Sequence, residues 1–468
     1  MQSVSEWAQV NFGSCDLGDK RRTNRLMKVA EQFANNPLAS LPNQLDQWSD
    51  LKAAYRLFDC EQVTFEAITR PHWMQTRKQA QQNGGRILVI GDTTELDFGK
   101  FRKIQGVGPT GNGSGQGFLL HNAMMVDADS HEIFGIAGQT IHHRKKKTPN
   151  AKRLSTARKR RRNDRESLVW GKVINDIGRP ADNTQYVHVF DRGADNFEVY
   201  CHLLQQRSNW IIRASQMARY VLAGEEGNFE RMRLKSFLAD QLKPLGRYTL
   251  SLRTRGKQPA RDAELEVRVG KVYIPRPLHV SPWVRKLAQP PIAMWVVEVV
   301  EVNAPKGVTP IRWVLYTSLP IKTFEDAWQV IGYYELRWLI EEYHKALKTG
   351  CRAESHQLKT GDRLEALIGL TSVVAVRLLK LKSIARTSPE IPAQRVVPAV
   401  WLKMLKLASK KLNRVHDMTV GQFYRAVAKL GGFLARTGDG EPGWITIWRG
   451  WEKLNMYVTV ASNLKMQT

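Results

Sequence analysis

The first seventy residues have apolar side chains at helical spacing. After Asp19, which is a suitable N-cap, apolar residues recur every three or four positions, at Leu26, Val29, Ala30 and Phe33. The stretch Asp50–Phe58 repeats this period, and Pro71 is expected to mark a boundary between elements. The pattern therefore predicts a helical domain over residues 1–70.

The pattern then changes to short apolar runs, which are typical of buried strands. The run Ile87–Ile90 leads to Asp92, and the run Tyr186–Phe190 leads directly to Asp191. Asp127–Ser130 is a turn signal between two further runs. We expect further strands at Phe118–Val126, Ile133–Gln139 and Trp210–Arg213. We expect one helix at Asn196–Gln206.

Residues from about 235 to 320 alternate as strands do, so this stretch is predicted to be an all-β block. Its strands are expected near Tyr248–Arg253, Leu265–Tyr273, Met294–Val302 and Trp313–Thr317. After Phe324 the period becomes helical nearly to the end of the chain. An α/β core over residues 71–372, interrupted by a β insertion and followed by a helical domain over 373–468, accounts for this order.

The charge of the chain narrows the class of partner. Lys and Arg number 71 against 44 Asp and Glu, which gives a formal net charge of +27 and a pI of about 10.0. Such a charge favours a polyanionic partner, either nucleic acid or an anionic membrane. The chain lacks an apolar run of about 18 residues, and its first residues do not have the pattern of a secretory signal. Nucleic acid, and no membrane, is therefore the predicted partner.

The four cysteines lie far apart in the sequence, at Cys15, Cys60, Cys201 and Cys351. No CxxC pair is present, so neither a zinc site nor a disulfide framework is expected. This cysteine usage suits a reducing cytoplasm.

Residues 142–165 form a basic block. It contains twelve Lys or Arg residues and one Asp, and we expect an exposed loop or a fraying helix there. Two interpretations stay open: the block binds target or flanking DNA, or it is a solvated tract. The glycine-rich loop at 106–117 lacks the Lys-Ser/Thr ending of a P-loop, so nucleotide binding is not expected.

Asp92 and Asp191 are the first candidates for chemistry, because each follows an apolar strand. Carboxylates at the ends of neighbouring strands can share divalent cations, and Mg²⁺ and Mn²⁺ prefer such hard oxygen ligands. Acids also end strands in many α/β proteins as turn or capping residues. This pair alone therefore leaves both interpretations open.

The segment 331–350 is predicted to form one helix with Gly350 as its stop. At about 100° per residue, one face of this helix carries Tyr334, Arg337, Glu341 and Lys348. Phosphodiester chemistry uses carboxylates to hold two cations, and basic groups to neutralise the charge that gathers on phosphorus. The alternative is an ordinary surface helix, in which Arg337 and Glu341 are an i,i+4 ion pair.

The spacing of these four residues, Y-x2-R-x3-E-x6-K, resembles the signature of the insertion-sequence-four family of bacterial DDE transposases. Other segments resemble that family in the same order along the chain. They are LGDKRRTNRL at 17–26, AAYRLF at 53–58, GDTTELDF at 91–98, FDRGAD at 190–195, TPIRWVLYTS at 309–318, YELRWLIEEYHKALKTG at 334–350, VAVRLLKL at 374–381 and AKLGGFLAR at 428–436.

The resemblance implies an α/β fold with a ribonuclease-H-like catalytic core that is interrupted by the all-β insertion. It also implies an N-terminal DNA-end-binding domain and a C-terminal helical dimerisation domain. It assigns catalysis and metal binding to the triad Asp92, Asp191 and Glu341. The D-T-T context selects Asp92 over Glu95 and Asp97, and Asp195 is the weaker candidate beside Asp191 for the same reason.

DNA contacts are implied as well. Trp313 would stack on a flipped base near a DNA hairpin, with core packing as the alternative. Tyr334 and Arg337 would bind phosphate beside it, and Trp338 is a second stacking candidate. Arg21, Arg22 and Arg25 lie at the start of a basic helix. Either this helix enters a DNA groove with Arg25 at a base edge, or it is merely solvated. Further candidates for phosphate contact are Arg213, Lys345 and Lys348.

Taken together, these features predict a DNA transposase that uses two Mg²⁺ ions, for which Mn²⁺ can substitute. Its predicted chemistry is nicking, hairpin formation, hairpin opening and strand transfer, carried out by a homodimer on double-stranded transposon ends and target DNA. Helically spaced Trp444, Trp448 and Trp451 indicate a packed core or a dimer interface. The expected location is the bacterial cytoplasm, at the nucleoid. Two alternatives stay open: a structure-selective Mg²⁺-dependent nuclease and a non-catalytic DNA-binding regulator.

Overall fold

The computed structural model describes residues 3–45, 47–145, 155–225, 227–254, 259–287, 289–409 and 417–465. The chain begins with five helices, α1 (Val4–Phe12), α2 (Lys20–Asn35), α3 (Leu41–Gln44), α4 (Trp48–Phe58) and α5 (Phe65–Asn83). The predicted N-cap of α2 is confirmed, because the Asp19 side chain accepts a hydrogen bond from the backbone N–H of Arg21. The apolar faces of α1, α2 and α4 pack into the main hydrophobic core.

The boundary expected at Pro71 is wrong, since Pro71 lies inside α5. A proline within a helix removes one backbone hydrogen bond and costs about 3 kcal/mol. The helix nevertheless continues, because it packs against the sheet and against a later buried helix. Burial of Ile68 and Trp73 on its inner face offsets that cost.

The middle of the chain alternates strands and helices. The strands are β1 (Gly85–Asp97), β2 (Gly108–Thr110), β3 (Gly115–Asp127), β4 (Ile133–His142), β5 (Thr184–Phe190) and β6 (Asn209–Arg213). The helices among them are α6 (Thr156–Arg161), α7 (Leu168–Ile177) and α8 (Phe197–Gln205). The predicted β3–β4 pair, with its turn at Asp127–Ser130, is confirmed, as is the helix predicted over Asn196–Gln206. This helix is α8, and Asn196 is its N-cap.

Six more strands and two short helices follow. The strands are β7 (Tyr220–Glu225), β8 (Asn228–Arg233), β9 (Lys243–Leu252), β10 (Arg261–Ile274), β11 (Ile292–Val302) and β12 (Arg312–Thr317). The helices are α9 (Leu234–Asp240) and α10 (Pro282–Lys286). The stretch 235–320 therefore is not all-β, because α9 and α10 lie within it and pack their apolar residues against the strands.

All twelve strands belong to one mixed sheet in the described part of the chain. Its order is β2-β3-β1-β5-β6-β12-β11-β10-β7-β8, with β4 beside β3 and β9 beside β10. Strands β1, β5 and β6 are parallel, and the other pairs are antiparallel. The strands of the predicted insertion thus extend the sheet of the core through β12, which pairs with β6.

The remainder is helical, as predicted. Its helices are α11 (Phe324–Glu335), α12 (Trp338–Lys345), α13 (Gly361–Thr387), α14 (Ala399–Leu407), α15 (Val420–Leu430) and α16 (Trp444–Lys465). Helix α13 is buried nearly all round and contacts α5, α2 and α15. A helix that is apolar on every side belongs in the interior of a protein, and α13 joins the N-terminal and C-terminal helices to the sheet.

Candidate active site

Asp92 lies within β1 rather than at its end. The strand continues to Asp97, because β3 pairs with it over the whole stretch, and Asn122 is the residue opposite Asp92. The preceding Gly91 is required by packing: a Cβ at this position would lie 2.5 Å from the Phe190 ring. The Phe190 ring and strand β1 therefore pack closely at the residue before Asp92.

Asp191 follows β5 directly, as predicted. Strands β1 and β5 are parallel with Gly91 paired to Phe190, so Asp92 and Asp191 occupy neighbouring positions on adjacent strands. Adjacent strands lie about 5 Å apart. The Asp191 carboxylate accepts a hydrogen bond of 2.8 Å from the backbone N–H of Gly193, which fixes the turn that follows.

The charges around Asp92 act on its carboxyl group. Burial, together with the negative charges of Asp191 and Glu341, raises the pKa of Asp92 to about 6. Arg337 opposes this shift with its positive charge. A raised pKa of this origin is typical of buried carboxylates that are gathered at one site.

Glu341 reaches this site from α12. The guanidinium of Arg337 donates a hydrogen bond to the Glu341 carboxylate, and its Nη1 lies 3.6 Å from Oδ2 of Asp92. One arginine therefore connects two of the three predicted ligands. Glu95 and Asp97, the neighbouring acids, have other partners. Glu95 pairs with Arg144, and Asp97 accepts hydrogen bonds from the backbone N–H groups of Gly99 and Gln116.

The single helix predicted over residues 331–350 is wrong in detail. Helix α11 ends at Glu335, α12 begins at Trp338, and a π-helical turn follows over Ala346–Gly350. The four motif residues therefore do not lie on one continuous helical stripe. The turn at Arg337 brings its side chain between the acids, whereas Lys348 pairs with Glu354 at 3.1 Å. Periodicity alone could not predict this break.

Tyr334 and Trp313 lie side by side near the triad. Their ring centroids are 5.6 Å apart with the rings nearly perpendicular, and burial raises the pKa of the Tyr334 hydroxyl. Arg213 on β6 acts on that hydroxyl through a hydrogen bond that lowers its pKa. Trp338 is exposed, and the Lys345 ammonium lies 4.6 Å from the centre of its ring. The predicted DNA-contacting residues of this region thus occur in two groups, one beside Tyr334 and one beside Trp338.

A buried polar network beneath Asp92 was not predicted from the sequence. Asn122 lies 3.0 Å from Nε2 of His344 on α12, and its side-chain oxygen accepts a hydrogen bond from Gln139. Burial lowers the pKa of His344 to about 3, so its ring is neutral and can accept the hydrogen bond. The only signal in the sequence was the pair His121-Asn122 inside an otherwise apolar strand.

Asp195, the weaker candidate beside Asp191, is held by a buried ion pair and hydrogen bonds within the protein. Its side chain is fully buried, pairs with Arg219, and accepts hydrogen bonds from Tyr200 and from Ser215. These contacts fix the loop after β6 to the turn after Asp191. Among the described residues, no group of three His, Cys, Asp or Glu side chains is arranged to hold a metal ion, and at the triad Arg337 lies between the acids.

Three family models match the chain. The transposase DNA-binding model matches residues 4–63, the transposase DDE domain model matches residues 130–377, and the transposase Tn5 dimerisation domain model matches residues 373–466. The second of these covers more than half of the chain. The chain belongs to the DDE transposase family. The dimerisation match makes it a Tn5-like member.

These matches establish the coarse function. The protein is a DNA transposase that binds DNA through its N-terminal helices, depends on a divalent metal and forms a homodimer through its C-terminal segment. The DDE match includes Asp191 and Glu341, whereas Asp92 lies before its first residue. No helix in the described ranges has the length and apolarity to cross a membrane.

The three N-terminal arginines of the transposase contact other residues of the same chain. Arg21 pairs with Asp19 and is almost fully exposed, Arg22 donates to the backbone oxygen of Leu17, and Arg25 pairs with Asp50 at 2.5 Å. All three lie within the match to the DNA-binding model. A nearby acid does not exclude DNA contact, since phosphate can replace it as the partner of an arginine.

Only part of the basic block lies in the described residues. Residues 146–154 are outside them, and α6 covers Thr156–Arg161. Arg144 pairs with Glu95 and Glu166, and Arg165 pairs with Glu198 at 2.9 Å. The ends of the block therefore pack on the catalytic domain, so the expectation of a wholly solvated tract does not hold for them.

Proposed function

We propose that this transposase cuts and joins DNA at a site formed by Asp92, Asp191 and Glu341. The observation that carries the proposal is the arrangement of Arg337, whose guanidinium contacts both Asp92 and Glu341 while Asp191 occupies the next strand position. Two acids on one arginine, with a third on the neighbouring strand, form a cluster of carboxylates that divalent cations can share.

The donor chemistry of this site fits Mg²⁺ or Mn²⁺, because every candidate ligand atom is a carboxylate oxygen. Two such ions would activate the attacking oxygen and stabilise the leaving oxygen of a phosphodiester. For Glu341 to act as a ligand, its carboxylate has to leave the guanidinium of Arg337. Arg337 is then available to a phosphate oxygen, which is the stronger partner in a DNA complex.

The surrounding residues would orient the DNA. Arg337 and the hydroxyl of Tyr334 would hydrogen-bond the phosphate that reacts, and Arg213 lies beside that hydroxyl. Trp313 packs edge-on against Tyr334, where it can stack on a base that has left the duplex. Lys345 and Lys348 would add positive charge along α12 and the π-helical turn that follows it.

The proposed reaction has four steps. Water attacks the phosphodiester at the transposon end, and the 3′ oxygen leaves as a hydroxyl. That hydroxyl attacks the opposite strand and closes a hairpin, so the flanking DNA departs with its own 3′ hydroxyl. Water then opens the hairpin, and the restored 3′ hydroxyl attacks a phosphodiester of the target. Each step breaks one phosphorus–oxygen bond and forms another, without oxidation or reduction.

We also propose that the catalytic sheet is ribonuclease-H-like, with an insertion at about residues 235–320. The proposed domains are 1–70, 71–372 and 373–468, and their boundaries fall inside the continuous helices α5 and α13. The insertion-sequence-four assignment rests on the spacing of Tyr334, Arg337, Glu341 and Lys348. The parallel β1–β5–β6 core supports the fold proposal, because a mixed sheet with catalytic acids on neighbouring strands is the arrangement it requires.

The test is a comparison of Glu341→Ala with Glu325→Gln, which alters an exposed acid on the preceding helix. On DNA that carries the element's terminal repeats, Glu341→Ala is expected to lose Mg²⁺-dependent cleavage while it binds that DNA as the unaltered protein does. Undiminished cleavage by Glu341→Ala would refute the proposed site. Strand transfer of pre-cut ends into a supercoiled target separates this function from that of a structure-selective nuclease.

A further inference from the structure

Glu342, the residue after Glu341, connects the catalytic helix to the C-terminal segment. Its Oε1 accepts hydrogen bonds from Trp338 at 3.2 Å and Lys345 at 3.4 Å, both on α12. Its Oε2 accepts hydrogen bonds from the Lys382 ammonium and from the indole N–H of Trp444. One oxygen is thus bound to its own helix and the other to α13 and α16.

Lys382 and Trp444 both lie in the segment matched by the dimerisation model, residues 373–466. The Lys382 side chain is only 6% exposed, and that of Glu342 is 12% exposed. The Lys382 ammonium also lies 4.2 Å from the centre of the Trp444 ring. Breaking a buried ion pair leaves a charge without compensation, so this contact is expected to persist as long as α16 stays docked.

Helix α16 meets the catalytic segment at a second point. Trp448 stacks on Trp444, with ring centroids 4.5 Å apart and 14° between the planes. The Trp448 ring lies so close to Gly350 that a Cβ there would be 2.5 Å from Cζ2 of the ring. Gly350 ends the π-helical turn that continues α12, so α16 contacts this segment at two points, Glu342 within α12 and Gly350 at its end.

Two separate contacts with α16, at Glu342 and at Gly350, restrict the rotation of α12 about its axis. Glu341 and Glu342 point about 100° apart around the helix. A carboxylate about 5 to 6 Å from the axis moves about 1 Å when the helix turns by 10°. A displacement of about 1 Å in a catalytic group can cost about 100-fold in rate. The partners of Glu342 therefore control the rotation of α12, and the chemistry of Glu341 is sensitive to this rotation.

We propose that Glu342 is a positioning residue through which the dimerisation segment sets the orientation of the Glu341 carboxylate. The inference rests on the proposed function of Glu341 and adds that the docking of Trp444 and Lys382 on α12 is a condition for metal binding there. The C-terminal segment then acts on the active site of its own chain, in addition to joining two chains.

The role of Oε2 can be separated from that of Oε1. Trp444→Phe removes one N–H donor to Oε2 and keeps an aromatic ring against Trp448. Lys382→Met removes the ammonium and keeps a side chain of similar length. Neither change touches the contacts of Trp338 and Lys345 with Oε1. If Glu342 served only to hold those two DNA-facing side chains, both variants would cleave normally.

The experiment measures two properties of the full-length dimer on terminal-repeat DNA. One is the rate of single-turnover cleavage, and the other is the affinity for Mn²⁺ measured by electron paramagnetic resonance. Glu342→Ala and Lys382→Met are expected to lower the rate about 10- to 100-fold, and Trp444→Phe about 3- to 10-fold. All three should weaken Mn²⁺ binding, while DNA affinity stays within twofold and the protein keeps the mass of a dimer. Glu342→Gln, which keeps an acceptor for Trp444, should lie between Glu342→Ala and the unaltered protein.

The matched control is Glu441→Gln, which breaks the pair of Glu441 with Arg425 in the same C-terminal segment without touching α12. Unchanged cleavage and Mn²⁺ affinity in Trp444→Phe and Glu342→Ala would overturn the inference. So would a loss of cleavage that only follows a loss of melting temperature or of the dimer, because that would be a structural role. Failure of the unaltered protein to cleave with metal would instead refute the proposed function.

Discussion

The Asn122 side-chain amide lies 3.0 Å from Nε2 of His344, and this buried contact joins the strand beside Asp92 to the helix that carries Glu341. His344 lies one helical turn beyond Glu341, and Asn122 is the residue paired with Asp92 across the sheet. Two acids that are 249 positions apart in the sequence are therefore held in register by two neutral side chains beneath them.

Asn122→Leu is expected to destabilise the protein by about 1 to 3 kcal/mol, because it leaves Nε2 of the buried His344 without its Asn122 partner and removes one hydrogen bond of Gln139. Urea unfolding measures this change. His344→Leu should cost a similar amount, and the double variant should cost less than the sum, because each single change already removes the shared hydrogen bond. Strict additivity of the two changes would contradict the coupling. Asn228→Ala, at an exposed site, is the control.

Arg337→Lys is expected to lower the rate of single-turnover cleavage about 100- to 1000-fold. Lysine keeps the positive charge but cannot contact two carboxylates and then a phosphate with a planar fork of donors. DNA affinity should change little, since the charge is retained. The same substitution at Arg449, an exposed residue of α16, should leave the rate unchanged. Equal rates for the two variants would show that the geometry of the guanidinium is unimportant.

His188 on β5 is a source of acid sensitivity. Among the described atoms, neither of its ring nitrogens has a hydrogen-bond partner, and burial lowers its pKa to about 3. Because the folded pKa lies below the unfolded value of 6.5, the stability contributed by the neutral ring is present above about pH 6.5. It is lost as the pH falls toward 3.

His188→Phe should therefore raise the free energy of unfolding by about 1 kcal/mol at neutral pH, since it removes two unsatisfied polar atoms. It should also flatten the loss of stability between pH 6 and pH 4, measured by thermal melting. His279→Phe, at an exposed position, should leave the profile unchanged. A steeper loss of stability in His188→Phe would contradict this account of the acid response.

Arg21→Ala tests the DNA contact of the N-terminal helix. If Arg21 binds a phosphate, its loss should reduce the slope of log affinity against log salt by about 0.9. Electrophoretic mobility shifts at several salt concentrations measure that slope on terminal-repeat DNA. Lys429→Ala on α15 removes an exposed charge outside the segment matched by the DNA-binding model and is the control. An unchanged slope for Arg21→Ala would show that Arg21 is merely solvated.

The sequence was most informative where a pattern is local. The β3–β4 hairpin, the N-cap at Asp19 and the strand that ends at Asp191 follow from apolar runs and turn residues, and the structure confirms them. Features that depend on packing were not predictable. Pro71 is tolerated because α5 is buried, and β1 continues past Asp92 because β3 pairs along its whole length.

The candidate site shows the same division. The motif Tyr334–Lys348 indicated which residue types would be used, but a straight helix of constant pitch could not place them. The break at Leu336–Arg337 and the π-helical turn lie in a segment that contacts β1, α13 and α16. The contacts of Glu342 involve residues 40 and 102 positions away, and no local pattern records them.

The central claim is that Asp92, Asp191 and Glu341 bind the divalent cations of the reaction. Replacement of Asp191 by Cys tests it most directly, because a thiolate ligand prefers Mn²⁺ to Mg²⁺. The quantity to measure is the single-turnover rate of cleavage of terminal-repeat DNA in each metal. We expect Asp191→Cys to be inactive with Mg²⁺ and to regain cleavage with Mn²⁺, while the unaltered protein cleaves with both. Cleavage by Asp191→Cys at the unaltered rate with Mg²⁺ would contradict the assignment of Asp191 as a metal ligand.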